Sequence, residues 1–553
     1  MNLVVECLLQ FVHFCYHGTM KKKAVLYTQN FEKLATLAQS LVHEGWEIIS
    51  AGATADFLKA QNIAVTVDRS LEEKNIPNPN FTRLCDMILR TNRAIQSSQY
   101  YTEAFVNLVC VNIQPAFQKL NDFLENDKSD NCIDLNSISM IRTAAKNYNN
   151  VIILTDPEDY EEAIIQIKTD SISSRFKLYL AGKALNLTSA YDATCSCSIL
   201  QQGEGIVYPS YYMIPFKRSE KLRHGMNDHQ TAYLYSINDQ VGALSGIKKI
   251  QGKELNLNIL ENCFTAWKSI SLFLKILKTP FTVESFDCNN YPFTTQFTPA
   301  AGSVFTVAIK NTNPIGAALG PNLLDSLRKT YACDPSSFDG ATFGCSSIVD
   351  REAAEELLKI DFRAIIAPDF SREAKEILSQ KKDMRLVIAS KPISEFYEAR
   401  SIDGGLIVQQ PDWDIFEKWN VVTQTRPTQQ QADSMAFGVM LSMISKSDAA
   451  IVLNDFAAVG ISTGNTSRSR AVRFALEDAR EYFQNNVNCG DRNAEILVSD
   501  SVINFDERTK AIADIGVKAI IQTGGAANDA DFIQFCNEHG ISMVFTGIQH
   551  LSI

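Results

Sequence analysis

Four short segments combine side chains that could bind an anion or move a proton. Ser50-Ala51-Gly52-Ala53-Thr54 lies between a strand pattern and a helix start. Small residues there let backbone N–H groups and hydroxyls approach an anion at the positive end of the helix. A plain Ser/Thr N-cap on a tight turn would use the same residues. Gly460 to Arg470 joins a strand to a helix with a high density of small, hydroxyl and guanidinium groups. Arg468, in the first helical turn, can fork onto a carboxylate or phosphate. The alternative is a capped helix with exposed arginines. Lys310 closes an apolar strand and leads into Asn311-Thr312-Asn313-Pro314-Ile315-Gly316. A cation and two amides before a Pro/Gly turn, at the C-terminal end of a strand, occupy the place where open α/β sheets bind ligands. A strand-end lysine can equally be solvated. Finally, Leu222 to Gln230 gathers His224 and His229 with Arg223 in a polar loop. Histidine is the natural general base near neutrality, though loop histidines are often structural or exposed.

The elements around these segments alternate. Ala24 to Tyr27, Glu47 to Ser50, Ile63 to Val67, Phe105 to Asn112 and Val151 to Thr155 read as strands. Helical spacing recurs from Phe31 to Val42, from Thr54 to Gln61, over Ser139 to Asn147 and over Asp170 to Asp192. This pattern predicts an α/β fold with a mostly parallel sheet covered on both faces. A second, larger α/β part follows the irregular stretch Gln201 to Glu220. Its expected strands include Phe305 to Lys310, Ala364 to Pro368, Met384 to Ala389, Leu406 to Gln409, Ala450 to Asn454 and Ala457 to Ser462. Glu495 to Ser499, Lys518 to Gln522 and Ser542 to Phe545 complete the set. Two related layers are expected here, although the sequence has no clean internal repeat.

Composition bounds the function. The 553 residues are 45% hydrophobic and 21% charged, with 52 basic against 63 acidic side chains and a net charge of −11. That is globular composition and argues against nucleic acid as the main partner, since phosphate binding must then rest on local groups. Thirteen scattered cysteines form no paired Cys-x-x-Cys sets, which fits a reducing cytoplasm; Cys195 and Cys197 lack flanking ligands, so no metal is expected. The apolar run Leu3 to Phe14 is interrupted by Glu6 and is shorter than the ~18 residues of a spanning helix. It has no basic residue before it, so neither a membrane anchor nor a signal peptide is expected. Met20, followed by three lysines and a strand, is a second candidate start.

Taken in order, these segments resemble the bifunctional AICAR transformylase/IMP cyclohydrolase family from Lys22 to the C-terminus. Ser50-Ala51-Gly52-Ala53-Thr54-Ala55 is similar to its Ser-Thr-Gly-Gly-Thr-Ala turn, and Val111 to Pro115 to its Asn-Leu-Tyr-Pro strand end. Ile133 to Asn147 resembles its Ile-Asp-Ile-Gly-Gly…Arg-Ala-Ala-Ala-Lys-Asn segment. Leu222 to Gln230 is similar to Leu-Arg-Tyr-Gly-x-Asn-Pro-His-Gln, and Gln251 to Asn256 to Gln-Gly-Lys-Glu-Leu-Ser. Ile365 to Pro368, Gly404 to Gln409, Val421 to Thr423, Gly460 to Arg468 and Gly540 to Gly547 continue the collinear matches.

The resemblance implies an apolar extension over 1–20, a methylglyoxal-synthase-like cyclohydrolase domain over 21–205, and a transformylase region over 206–553. The latter would be two cytidine-deaminase-like subdomains without their zinc. It implies formyl transfer from 10-formyltetrahydrofolate to AICAR, closure of formyl-AICAR to IMP, and a cytoplasmic homodimer with no membrane or nucleic-acid partner. For chemistry it implies Lys310 and His229 in formyl transfer and Asp134 and Lys146 in ring closure; His224, which stands where the family has tyrosine, is a second candidate for proton work. For binding it implies Arg223, Asn227, Asn311, Arg468, Ser50, Thr54, Asn112 and Arg142. The sequence departs from the family pattern at several of these places. Asn311 stands where the family has histidine, Gln114 where it has tyrosine, and Lys74 to Arg90 has no counterpart of its Gly-Arg-Val-Lys-Thr-Leu-His-Pro segment. Ser447-Asp448-Ala449, Val502 to Asp506 and Gln549-His550-Leu551 depart as well. Two other readings therefore stay open: a homologue that has lost one or both activities and binds a purine nucleotide or acts as a scaffold, and a generic nucleotide-binding α/β protein.

Overall fold

The computed structural model describes residues 21–72, 79–89, 105–113, 134–203, 208–237, 242–278, 280–297, 302–393, 397–486, 494–506 and 509–552. The expected extension over 1–20, Gln114, and residues 74–78 and 90 of the stretch that departs from the family pattern fall outside these residues. The chain divides into two compact units, Met1–Lys217 and Arg218–Ile553. The division falls later than position 205 because the segment after the last helix of the first unit stays with it: Cys197 Sγ donates to the Met213 carbonyl at 3.1 Å.

The first unit alternates strand and helix. In order come β1 (Lys23–Tyr27), α1 (Leu34–His43), β2 (Glu47–Ser50), α2 (Gly52–Ala60), β3 (Thr66–Val67), α3 (Pro79–Leu89), β4 (Leu108–Val111), α4 (Leu135–Lys146), β5 (Ile152–Leu154), α5 (Tyr160–Lys168) and α6 (Ser174–Gly203). The five strands form a parallel sheet in the order β3-β2-β1-β4-β5. Ala24, Val25, Leu26 and all of β4 are buried, as continuous apolar strands must be when helices cover both faces. The strand order reverses direction between β1 and β4. That crevice, at the carboxyl ends of two parallel strands whose following connections leave to opposite sides, is where a doubly wound sheet opens to ligands. The strand expected over Ile63 to Val67 shrinks to two residues, and the helix expected from Asp170 begins at Ser174 and runs to Gly203.

After α6, β6 (Lys217–Lys221) and β7 (Tyr233–Ser236) pair as a small sheet of their own. The second unit is built on one continuous sheet of fourteen strands, which includes β8 (Ile247–Gln251), β9 (Phe281–Phe286), β10 (Pro292–Phe297) and β18 (Trp419–Val421) and which its two related parts share. Its core is a repeated supersecondary unit. The first copy runs α7 (Leu257–Ile276), β11 (Val304–Lys310), β12 (Asn313–Gly320), α8 (Leu323–Cys333), β13 (Thr342–Cys345), α9 (Arg351–Leu357), β14 (Ala364–Ala367), α10 (Arg372–Leu378) and β15 (Arg385–Ala389). The second runs α11 (Gln429–Ser442), β19 (Ala450–Asn454), β20 (Ala457–Ser462), α12 (Arg468–Asn485), β21 (Ile496–Ser499), α13 (Ala511–Asp514), β22 (Ala519–Gln522), α14 (Asp529–Glu538) and β23 (Ser542–Phe545). In each, an antiparallel hairpin is followed by strands that pair in parallel. The copies join where β12 meets β20 at Ala318 and Ala457.

The repeat lies in backbone devices rather than residue identity. Both hairpins turn on two consecutive non-glycine residues with positive φ, Asn311 and Thr312 in one and Asp455 and Phe456 in the other. Both second strands carry a glycine under the following helix: a Cβ on Gly316 would lie 2.5 Å from the Thr330 carbonyl oxygen, and on Gly460 2.1 Å from that of Ala475. No side chain fits at either crossing. The Pro/Gly turn expected after Lys310 is thus displaced. Pro314 and Gly316 belong to β12, where a register shift at Ala308/Ile309 accommodates the proline, and Asn311-Thr312 makes the turn.

Candidate active sites

In the first unit the carboxyl-end rim of the sheet collects several of the expected residues. Ser50 ends β2, fully buried, and its hydroxyl donates to the Leu26 carbonyl at 2.7 Å. Thr54 donates to the Thr28 carbonyl at 2.9 Å and accepts from the Thr28 N–H at 3.0 Å. Both hydroxyl protons therefore tie the strand ends together and are not turned to a ligand. What the turn presents outward is backbone: Gly52 has φ +51°, and the Glu72 carboxylate packs so close to it that a Cβ would lie 2.6 Å from Oε1. Asn112, buried after β4, spans the crevice, its Oδ1 accepting from the N–H groups of Gln29 at 2.7 Å and Asn30 at 3.2 Å.

Asp134 is the N-cap of α4, with Oδ1 accepting from the Ser137 N–H at 2.9 Å. Its own N–H donates to the Tyr191 hydroxyl at 3.0 Å. Burial first, then the nearby Asp134 and Glu72 carboxylates, push the Tyr27 phenol above its ordinary value, which places Tyr27, Glu72 and Asp134 in one electrostatic neighbourhood. Lys146 and Arg142 do not join this rim. Lys146 is exposed in the last turn of the helix that Asp134 caps. Twelve residues at about 1.5 Å each separate the two by roughly 18 Å, so they do not converge within one copy of the chain. Arg142 pairs with Asp192 on α6 and donates from Nε to Thr188 Oγ1 at 3.5 Å, locking α4 against α6.

In the second unit the sites converge on the first turn of α7. Asn256 caps it, its Oδ1 accepting from the Ile259 N–H at 2.9 Å. Asn258, two residues on, donates from Nδ2 to Asn311 Oδ1 at 3.2 Å. Asn262, one turn further and fully buried, donates to Asn258 Oδ1 at 3.0 Å and accepts the Thr312 N–H at 2.8 Å. This amide chain holds the Lys310 hairpin against the helix. Lys310 is half-buried and donates from Nζ to the Ser337 carbonyl at 3.0 Å. No carboxylate neutralises it among the described residues.

The loop expected to carry histidine chemistry packs on the same helix turn. Asn258 Nδ2 also reaches Met226 Sδ at 3.6 Å, and His224 Nε2 lies 3.2 Å from Asn256 Nδ2. His229 is exposed, and Asn227 is exposed with its N–H and Nδ2 both donating to Gln230 Oε1. Arg223 is exposed beside Arg385. Burial first, and then Arg223 itself, holds the Arg385 guanidinium below its ordinary value. Two guanidiniums this close mark a place that favours an anion. On the hairpin's other side the Lys446 N–H donates to Asn313 Oδ1 at 3.2 Å, and Lys446 accepts at its carbonyl from the Gly464 N–H at 2.7 Å. Asn465 and Asp448 exchange backbone hydrogen bonds. Arg468, half-buried at the start of α12, follows directly and has no carboxylate partner among the described residues. Lys310, Asn311 and Arg468 thus lie on one connected edge.

Sequence reasoning missed Asn256, Asn258, Asn262, Lys446, Tyr27 and Glu72. The three asparagines carried a signal, because amides at positions 258 and 262 share a helix face and Asn256 is a good N-cap. Among the described residues no group of three or more His, Cys, Asp or Glu side chains is placed to hold a metal ion.

A parallel-sheet unit with a topological switch point, followed by a duplicated α/β unit whose first hairpin carries Lys310 and is anchored to α7, defines the class of protein to which the chain belongs. The family described as AICARFT/IMPCHase bienzyme matches residues 144–478, and the MGS-like domain matches residues 33–142. The chain is 33% identical over 547 residues to the bifunctional purine biosynthesis protein PurH of Clostridium acetobutylicum, covering 96% of this chain and 99% of that one. It is 32% identical to the protein of the same name from Clostridium kluyveri, over 540 residues and the same shares. The chain belongs to the AICARFT/IMPCHase bienzyme family.

Proposed function

We propose that the chain performs two consecutive steps of purine nucleotide synthesis, formyl transfer to AICAR in the second unit and closure of formyl-AICAR to IMP in the first. The observation that carries this reading is the Lys310 hairpin, held by the amide chain from α7 and tied through Asn313 to Lys446. Formyl transfer from 10-formyltetrahydrofolate begins when the 5-amino group attacks the formyl carbon and negative charge grows on the formyl oxygen. An ammonium fixed by a single carbonyl acceptor has further donors free to meet that charge. Arg223 and Arg468 suit the substrate phosphate, which a guanidinium binds through two N–H groups at once.

Ring closure is assigned to the rim of the first unit. The carboxamide nitrogen of formyl-AICAR must attack the formyl carbon and water must leave, so a group that takes and returns a proton is needed. Asp134 has Oδ2 free among the described residues, while Oδ1 anchors α4. Asn112 and the α2 turn shape the crevice beside it. The working form is read as a homodimer in the cytoplasm. Ile402, Leu406 and Ile407 on the hairpin of β16 (Glu398–Ile402) and β17 (Gly405–Gln409) are more than half exposed, or half exposed at Leu406, which supports a covered surface there. The described cysteines are free thiols, which suits a reducing compartment. Among the described residues no helix is long and apolar enough to cross a membrane.

The test is incubation of the purified chain with AICAR and 10-formyltetrahydrofolate, with chromatographic quantification of both products. The reading expects IMP to form faster than in a control for spontaneous closure of formyl-AICAR. Failure to form either product refutes it.

A further inference from the structure

We propose that Nε2 of His224 accepts the proton released by the attacking amine in formyl transfer. This rests on the assignment of that reaction to the second unit. Chemistry demands such a group: once the amine nitrogen has bonded to the formyl carbon it is cationic, and the intermediate cannot collapse productively until a proton leaves. Asn311, next to Lys310, cannot serve, because a carboxamide does not accept a proton at neutral pH.

The other described histidines of the second unit are excluded by their surroundings. His550 is buried with Nδ1 2.7 Å from Asp412 Oδ2 and Nε2 3.2 Å from the Ile415 carbonyl, so each nitrogen faces an acceptor and no neighbouring donor marks either as the basic one. His539 lies at the end of α14 on the Phe535 carbonyl. His229 is exposed and held by no hydrogen bond among the described residues.

His224 is different in four respects. Its side chain is only 14% exposed, so the ring is positioned rather than mobile. Its tautomer is dictated by neighbours: Nδ1 lies 2.8 Å from the Gly225 carbonyl, which can only accept, so Nδ1 carries the hydrogen. Asn256 is orientated by its capping bond to Ile259, which turns its Nδ2 donor to His224 Nε2. Nε2 is therefore the basic nitrogen. Asp228 Oδ1 lies 3.3 Å from the same Nε2, placed to stabilise the imidazolium formed when the proton arrives. Finally, Asn256 and Asn258 hang His224 and Asn311 from the same first turn of α7.

The step balances. The amine nitrogen forms a bond to the formyl carbon, the carbonyl electron pair moves onto oxygen near Lys310, and Nε2 takes the nitrogen's proton. Collapse then breaks the bond from the formyl carbon to the folate nitrogen. The imidazolium returns its proton to that leaving nitrogen, giving formyl-AICAR and tetrahydrofolate.

The experiment measures kcat and KM for formyl transfer in the wild-type chain, His224→Gln, His224→Gln with Asn311→His, and Asp228→Asn, each checked for an unchanged melting temperature. The expected result is a fall in kcat of ~10²–10⁴-fold for His224→Gln with little change in KM. Partial recovery is expected when Asn311→His restores a base on the hairpin that Asn258 ties to the same helix turn. Asp228→Asn, at an exposed position that does not bear on folding, should lower kcat about threefold to tenfold. An active wild type with kcat unchanged in both His224→Gln and Asp228→Asn overturns the inference, and so does a His224→Gln loss confined to KM. A wild type that forms no formyl-AICAR overturns instead the assignment on which it rests.

Discussion

Asn262 gives the sharpest stability prediction, because one buried amide holds the reactive hairpin in a conformation its own residues resist. Thr312 has φ +62° and Asn311 φ +51°. For a β-branched residue the left-handed region costs roughly 1–2 kcal/mol. The 2.8 Å bond from the Thr312 N–H to Asn262 Oδ1 is one of the contacts that offset it. In Asn262→Leu the branching and the number of heavy atoms are kept, so no cavity opens, but the Thr312 N–H loses its acceptor and Asn258 loses a donor. Asn258 is half-buried and can turn to water. The cost is then mainly the unpaired N–H, about 1–3 kcal/mol. At about 2 °C per kcal/mol for a large domain, the melting temperature should fall by roughly 2–6 °C. The activity should fall further than the stability suggests, since about 1 Å of misplacement at a reacting group costs on the order of 10²-fold. Thermal unfolding and initial rates of formyl transfer read both. A variant with unchanged melting temperature and unchanged kcat would refute the idea that this amide chain positions Lys310. A lower melting temperature with full kcat would leave Asn262 structural only.

Other perturbations separate the two units and their devices. Lys310→Ala should abolish formyl transfer while leaving the melting temperature within about 1 °C, because its only bond among the described residues is to one carbonyl; full activity by the chromatographic assay would contradict the site. Gly460→Ala should destabilise the second unit by about 1–3 kcal/mol or more, since its Cβ would meet backbone rather than a yielding side chain; chemical denaturation checks this. Asp500 tests a pH dependence. Burial foremost, with Asp448 adding, pushes its carboxyl above the ordinary value against hydrogen bonds from the Ser447 hydroxyl and the Ala449 N–H. The folded chain then holds that proton more tightly than the unfolded chain does. Its contribution to stability is present below the unfolded value of about 4 and is lost as pH rises through the higher folded value. Asp500→Asn should therefore narrow the melting-temperature difference between acidic and neutral buffers. An unchanged difference would contradict the assigned cause.

Much of the architecture was legible because long buried strands leave plain apolar runs. Ala24 to Tyr27, Ala450 to Asn454 and Ser542 to Phe545 fall where periodicity places them. The strand over Asn313–Gly320 was hidden by Pro314 and Gly316, which read as a turn until the bulge at Ala308/Ile309 and the close approach of Thr330 explain both. The internal repeat was invisible for a related reason. Gly316 and Gly460 recur, but the turns they follow share only positive φ, not residue type.

The candidate sites were legible in part. Lys310, Arg223 and Arg468 stood out by chemistry and lie on the rim of the second unit. Ser50 and Thr54 also stood out, yet their hydroxyls bond inward to Leu26 and Thr28, a choice set by packing across the sheet rather than by local spacing. Asp134 and Lys146 stand at opposite ends of α4, a separation that twelve steps at helical rise already implied. The asparagines of α7 matter through contacts some fifty residues away in sequence, at Asn311 and Thr312, which no local pattern encodes.

The most direct test of the central claim is the time course of formyl-AICAR and IMP from AICAR and 10-formyltetrahydrofolate, in the wild-type chain and in Lys310→Ala. The account predicts that the wild type accumulates IMP, while Lys310→Ala makes neither product from AICAR yet still closes formyl-AICAR supplied directly. Absence of both products from the wild type, or an equal yield from Lys310→Ala, would contradict it.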